Sequence, residues 1–128
     1  MASLVTNTGL AEFVTALVAT DAVKYIGWGE GTGQGVTSTD LANAADEART
    51  NGTDSAQTTT TTGDTFRVVG TVTATGARAI TEVAVFDGAG SGTPPTGDNM
   101  AIYGDFSVIN LATADSITFT INVVLDQA

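Results

Sequence analysis

Residues 78–87 read R-A-I-T-E-V-A-V-F-D, and a segment rich in Gly and Pro follows at once. Alternate side chains of a strand point to opposite faces, and here both faces carry apolar atoms. The members are Ile80, Ala84 and Phe86 on one face and Val83 and Val85 on the other. A strand that is apolar on both faces is typical of a sheet interior, so we predict a central strand with Glu82 as its one exception.

Other segments show the same apolar alternation and are the predicted partners of this strand. They contain Phe66, Val68 and Val72, then Ile102, Phe106 and Val108, and finally Ile117, Phe119, Ile121, Val123 and Leu125. We expect residues 100–110 and 116–126 to pair as the last hairpin. The predicted fold class is mainly β: an antiparallel, jelly-roll-like β-sandwich of about six strands with an N-terminal α-helix. At 128 residues the chain fits a single domain, residues 1–128.

A helix is predicted over residues 8–19, capped by Asn7 or Thr8. Its apolar residues follow the spacing of one buried stripe; they are Leu10, Phe13, Val14, Leu17 and Val18. The helix could cover one end or face of the sandwich. Alternatively, an amphipathic terminal helix could dock on a partner or a neighbouring subunit.

Four segments are predicted from their turn and strand signals. Residues 37–49 are expected to form an irregular or briefly helical arm over the surface, and residues 51–55 a turn, since Asn51-Gly52 favours hairpins. The threonine run 58–62 suits a solvated edge strand that pairs with residues 66–73. Residues 88–99 form a long loop containing Pro94 and Pro95, a natural place for an exposed or intersubunit feature.

Charge excludes one large class of function. The chain has 14 acidic and 4 basic residues, a formal charge of −10, and therefore no basic footprint for nucleic acid. The apolar run 10–18 is too short to cross a bilayer and the N-terminus lacks a basic region, so we expect a soluble protein made without a cleaved secretory signal, whose export would need another carrier. Asn51-Gly52-Thr53 is a glycosylation sequon, and whether Asn51 is modified stays open. Low lysine content fits a saline habitat and equally a small acidic protein from anywhere.

Residues capable of catalysis are scarce. The chain contains no His and no Cys, which excludes Ser-His-Asp and Cys-His catalysis and ordinary zinc sites. Asp46 with Glu47, or Glu82 with Asp87, could in principle form a carboxylate pair, but no calcium loop and no cleft signal accompany them. We predict no catalytic residue, no cofactor and no metal.

Three further features of the sequence each have a structural and a functional interpretation. The glycine-rich residues 29–35 do not match a phosphate-binding loop in spacing, and a tight or flexible turn is the expectation. Glu82 is predicted to be neutralised by Arg67 or Arg78, with a subunit contact as the alternative. Trp28 suits the core, with a sugar-binding platform as the alternative.

Four stretches in fixed order carry a resemblance over nearly the whole chain. They are a helix after Asn7-Thr8-Gly9; K-Y-I-G-W-G-E-G-T-G at residues 24–33; A-I-T-E-V-A-V-F-D at residues 79–87; and F-S-V-I at residues 106–109 with D-S-I-T-F-T-I at residues 115–121. This order resembles small structural proteins of tailed viruses, which carry similar Y-I-x-x-G-x-G-T, I-T-E-x-G-L-F-D, F-x-x-I and D-S-I motifs. The chain departs from that pattern at Ala84, where the family has glycine, and in its G-E-G-T-G-Q-G loop.

The resemblance implies a symmetric, non-enzymatic virion protein. The leading expectation is a capsid decoration protein on the capsid exterior, assembled in the host cytoplasm and bound to copies of itself and to the major capsid protein. A tail, collar or fibre-base component is the alternative, and a carbohydrate-binding β module is the alternative of another class. A halophilic host is suggested by the composition. Candidate contact residues are Leu10, Phe13, Leu17, Trp28, Glu82, Pro94 and Pro95.

Overall fold

A computed structural model describes residues 3–126 of the protein. Within this range the chain forms one helix and seven strands, in the order α1 (Asn7–Thr20), β1 (Tyr25–Gly29), β2 (Thr50–Asn51), β3 (Thr53–Gln57), β4 (Thr65–Thr73), β5 (Arg78–Phe86), β6 (Met100–Leu111) and β7 (Ser116–Val124).

The strands form two antiparallel sheets that face each other. The larger sheet has the order β2-β1-β5-β6 and the smaller one β3-β4-β7. The predicted mainly-β class, the antiparallel sandwich and the N-terminal helix are confirmed, with seven strands in place of about six. Tryptophan and phenylalanine side chains meet between the sheets, where the rings of Trp28 and Phe119 lie edge to face with centroids 6.4 Å apart.

Strand β5 is interior, as predicted, and pairs with β1 on one edge and with β6 on the other. The predicted division of its side chains between two faces is wrong at one residue. Ile80 joins Val83 and Val85 in the main core, while Ala84 and Phe86 pack on the other face of the sheet. The pairing with β6 shifts register between Ile80 and Glu82, and such a bulge moves the following side chains to the opposite face.

The predicted final hairpin is also wrong. β6 pairs with β5 and β7 pairs with β4, so the short turn between β6 and β7 carries the chain from one sheet to the other. Both segments are strands, as expected. Their partners are the two central strands, which the alternation of apolar residues does not specify.

Residues 51–55 are extended, which corrects the predicted turn and hairpin. β2 belongs to the larger sheet and β3 to the smaller one, and Gly52 lies between them. A Cβ atom at Gly52 would lie 2.8 Å from the carbonyl oxygen of Val69 and 2.9 Å from that of Lys24. Only glycine allows the chain to cross between the sheets so close to two backbones.

The threonine run does not form the predicted edge strand. The edge strand is β3, which pairs with residues 65–69 of β4, and residues 58–62 make the turn that connects the two. Threonine favours strands, but this run is held as a turn by the carboxylate of Asp64, described below.

Helix α1 begins one residue earlier than predicted. Thr6 is the N-cap, and its hydroxyl oxygen accepts a hydrogen bond of 3.1 Å from the N–H of Gly9. The predicted buried stripe is only partly correct, since Leu10 and Val14 are buried whereas Phe13 is 54% exposed and Leu17 is 37% exposed. One face of the helix therefore packs on the sandwich and an adjacent apolar strip faces outward.

Candidate functional site

Glu82 is fully buried on the outer face of the larger sheet, beneath the arm of residues 37–49. Its carboxylate accepts hydrogen bonds from the backbone N–H groups of Asn43 at 2.8 Å and Ala42 at 3.0 Å. The N–H of Gly31 at 3.2 Å and the hydroxyl of Tyr103 at 2.9 Å complete the shell. The prediction that an arginine neutralises Glu82 is wrong; the carboxylate instead fastens the arm and the glycine-rich loop to β5.

Glu47 anchors the end of the arm in the same manner. Its oxygens accept hydrogen bonds from the Trp28 ring N–H at 3.0 Å, from the N–H and hydroxyl of Thr75 at 2.9 Å, and from Nε of Arg78 at 2.9 and 3.1 Å. Burial raises the pKa of Glu47, but the hydrogen bonds from Thr75 and Trp28 outweigh it and lower the pKa from 4.5 to about 2. Glu47 is therefore ionised in the folded protein at neutral pH.

Asp64 organises the threonine turn. It accepts hydrogen bonds from the N–H groups of Thr59, Thr60 and Thr61 at 2.7 to 2.9 Å and from the Thr65 hydroxyl at 2.7 Å. The Thr61 and Thr59 contacts hold its pKa far below the usual range, against the opposing effect of burial. All three buried carboxylates thus hold backbone in place, and none is directed into a cleft.

The long loop 88–99 is tied down by Arg49. The guanidinium lies over the Phe86 ring, 3.4 Å from its centroid, and Nη1 donates to the carbonyl oxygens of Gly97 at 2.9 Å and Gly88 at 3.2 Å. Asp40 lies 3.8 Å from Nη2, which has no hydrogen-bond partner. The loop is therefore braced from inside at both ends, which suits a rigid surface feature.

All four basic residues of the chain are engaged in contacts within it. Besides Arg49, and Arg78 on Glu47, the Lys24 ammonium pairs with Asp21 at 2.7 Å and Nε of Arg67 donates to Asn122 at 2.8 Å. Three of the four lie beside carboxylates, so the described surface offers no patch of unpaired cations for a nucleic acid.

The described residues contain no group of three or more acidic side chains arranged to hold a metal ion. In the glycine-rich loop, the N–H of Gly33 donates to Asp105 at 3.1 Å, so at least one loop amide is already occupied by a carboxylate. The carboxylate of Asp105 would repel a phosphate at the loop. This agrees with the prediction from the sequence that the loop does not bind phosphate.

The structure divides the predicted contact residues into two groups. Leu10, Trp28, Glu82 and Pro95 are buried within the chain, so their side chains are not available to a partner in this conformation. Phe13, Leu17 and Pro94 are exposed. Trp28 is 1% exposed and its ring N–H is bonded to Glu47, so it cannot serve as a sugar platform.

The exposed part of the helix forms a first apolar surface. It is a shallow depression, here called the helix patch, lined by Phe13, Ala16, Leu17, Thr20 and Leu125. Its walls are almost entirely apolar. Covering exposed phenylalanine and leucine side chains with a partner removes apolar surface from water and so lowers the free energy.

The second apolar surface is the side of the sandwich formed by β6 and β7, here called the open side. Among the described strands, β6 has only β5 and β7 has only β4 as a partner, so each leaves one edge unpaired. None of the residues in these two strands is fully buried, whereas most of β5 is. The inward-facing side chains are left half-covered; they are Ile102, Phe106, Leu111, Ile117, Phe119, Ile121 and Val123.

The open side is almost free of charge. β6 has 12 residues and β7 has 9, and Asp105 is the single charged residue among them. Exposed apolar side chains add to the surface: Val108 is 52% exposed, Ile109 40% and Val124 42%. The apolar alternation predicts both strands but not this side, since which strands lie at the sheet edges depends on pairing.

Comparison with known proteins adds no family assignment. No protein-family model matches the chain, and no curated protein matches it. Among residues 3–126, no helix combines the length and the apolar character needed to cross a bilayer. The function must therefore be argued from the surfaces themselves.

Proposed function

We propose that this protein is a capsid decoration protein of a tailed virus, which associates with copies of itself and docks on the outside of the major capsid protein lattice. The observation that carries the proposal is the presence of two separate uncovered apolar surfaces, the helix patch and the open side, on one braced sandwich. A subunit that joins both its own copies and a shell needs two such surfaces.

The interior supports an inert structural role. The buried carboxylates Glu47, Asp64 and Glu82 are each surrounded by hydrogen-bond donors from the same chain. A general acid or base needs contact with a substrate. Here these groups fasten loops, and the result is a rigid body that suits repeated contacts on a symmetric lattice.

The four sequence stretches that resemble virion proteins give the proposal its viral context. In the fold they fall on α1, β1 with the glycine-rich loop, β5, and the β6–β7 segment. They therefore include both the helix that carries the helix patch and the strands that form the open side.

The test is binding to capsids of the source virus assembled without this chain. We expect the wild-type protein to co-sediment with them at a fixed ratio to the major capsid protein and to raise the temperature at which the capsids break open. Phe13→Glu, which places a charge in the helix patch, is expected to weaken binding at least about tenfold. The matched control is Val36→Glu, because Val36 is 105% exposed and directly follows the glycine-rich residues 29–35.

Failure of the wild-type protein to bind such capsids overturns the decoration function. If the same preparation binds isolated tails instead, the protein is a tail, collar or fibre-base component. Equal binding by the Phe13 and Val36 variants would remove the helix patch from the proposal.

A further inference from the structure

We infer that the open side is the interface between two copies of this chain, formed by β6 pairing antiparallel with β6 of a second copy across a two-fold axis. The inference deepens the proposed function, on which it rests for the expectation that copies associate at all. It assigns a surface, a partner and a symmetry to that association.

Charge selects a second copy as the occupant. Two copies that each carry a formal charge of −10 repel each other, and the repulsion is least where the contacting surfaces carry no charge. The open side offers one charged residue in β6 and β7 together, Asp105. A basic partner would gain nothing from this uncharged side, whereas a partner as acidic as this chain loses least there.

The geometry of β6 fits self-pairing. β6 is the longest strand, and its unpaired edge offers a row of backbone donors and acceptors that an identical antiparallel strand can match across a two-fold axis. The two exposed apolar residues, Val108 and Ile109, lie together in its second half. An antiparallel pair centred near Val108 places Val108 opposite its own copy and Ile109 opposite Ser107 of the second copy, which covers side chains that the single chain leaves in water.

The same register keeps the one acidic residue of β6 away from its copy. With the two-fold axis near Val108, the two Asp105 positions lie about six residues apart along the paired strands, roughly 20 Å at the rise of a strand. At physiological ionic strength the Debye length is about 8 Å, so repulsion between them is largely screened. The half-covered side chains of β7 are adjacent to the same contact.

The experiment measures the oligomeric state by analytical ultracentrifugation over a wide range of concentration, at about 0.15 M and about 1 M salt. Val108→Glu is expected to raise the dissociation constant at least about a hundredfold, because two new carboxylates face each other across the axis. Val36→Glu adds the same charge beside residues 100–103, at the end of β6 that lies outside the paired stretch, and is expected to change the dissociation constant by no more than about twofold. High salt should tighten wild-type association.

A second measurement reports on the axis itself. The chain contains no cysteine, so one introduced residue gives an unambiguous cross-link. A two-fold axis through β6 brings a residue next to its own copy, so single cysteines at Ser107, Val108 and Ile109 should include at least one that forms an intermolecular disulfide, with ultracentrifugation showing that the product is a dimer. Val36→Cys is the matched control and should stay monomeric under the same oxidant.

Three results overturn the inference. They are a wild-type monomer at every concentration and salt, equal effects of the Val108 and Val36 glutamate variants, and no cross-link at any of the three β6 positions. A monomer that still binds capsids would overturn this interface while the decoration function stands. If Val108→Glu disrupts the oligomer but the wild-type protein does not bind capsids, the interface is supported and the decoration function is overturned.

Discussion

The two sides of the sandwich are built differently. At the closed side, formed by β2 and β3, one extended segment crosses from sheet to sheet at Gly52, and the arm that leads into it is fastened by Glu47 and Glu82. At the open side, the chain passes between sheets through the turn after β6, and half-covered apolar side chains face the gap. Hydrogen bonds to carboxylates thus complete one side within the chain, whereas the other side keeps unpaired strand edges and half-covered apolar side chains.

The largest expected change in unfolding free energy comes from truncating one aromatic residue near each side of the sandwich. Phe66 of β4 is 2% exposed, whereas Phe119 of β7 is half-buried. Phe66→Ala should lower the free energy of unfolding by about 3–5 kcal/mol. Phe119→Ala should lower it by about half as much in the isolated chain, because part of its ring is already in water.

Urea denaturation in the Val108→Glu background makes this comparison, since self-association would otherwise stabilise the folded chain. Equal losses for the two substitutions would show that the open side is packed as well as the centre, and the contrast between the sides would fail.

Acid should destabilise the closed side, whose arm is fastened by the carboxylates of Glu47 and Glu82. The pKa of Glu47 is lowered from 4.5 to about 2, so its contribution is complete above pH 4.5 and is lost as the pH falls through that interval. The loss from Glu47 alone amounts to about 3 kcal/mol of unfolding free energy. Asp64, whose pKa is also lowered, adds to the loss in the same direction.

Unfolding free energies measured between pH 6 and pH 2 test this, with Glu47→Gln as the control that should flatten part of the profile. Hydrogen exchange localises the effect: in acid, amides of the arm 37–49 should exchange faster relative to those of β7. A uniform response along the chain would contradict the assignment of the carboxylates to one half of the molecule.

The smallest expected change in unfolding free energy comes from replacing one glycine on each side with alanine. Alanine at Gly52 would place its Cβ against the backbone carbonyls of Val69 and Lys24, and a loss of about 1–3 kcal/mol is expected. A Cβ at Gly104 of β6 meets nothing within 4 Å, and Gly104→Ala should gain about 0.5 kcal/mol. Thermal or urea unfolding measures the change in unfolding free energy for both variants. If Gly52→Ala causes no loss, the backbone of the closed side can shift to make room for a Cβ atom.

Apolar alternation was sufficient to predict β4, β5, β6 and β7 but not their neighbours, and it missed β2 and β3, which carry few apolar residues. The pattern in residues 78–87 predicted a buried strand because apolar side chains on both faces need cover on both faces. It could not predict the bulge next to Ile80, since a bulge depends on the partner strand. The same limit applies to β6 and β7, whose apolar spacing suits a hairpin as well as two separate sheets.

The hydrogen-bond donors to Glu82 could not be predicted from the sequence, for a different reason. An arginine was the predicted partner because a cation can be identified in the sequence as a partner for a buried acid. The true donors are mainly backbone N–H groups of Ala42 and Asn43, and every residue except proline carries that group. Only the position of the arm over β5 shows that these amides converge. Phe13, by contrast, was predicted both in a buried stripe and as a contact residue; it is exposed, so the first prediction is wrong and the second stays a prediction.

The engagement of every lysine and arginine has a practical consequence for trypsin, which cleaves only after these residues. Lys24 directly precedes β1, Arg49 directly precedes β2, Arg67 lies within β4 and Arg78 begins β5. A protease needs a locally unfolded stretch of backbone, and none of these four positions is at a free loop tip. Tryptic digestion of the native protein should therefore proceed only as fast as the sandwich itself opens, which makes a simple gel a measure of its global stability.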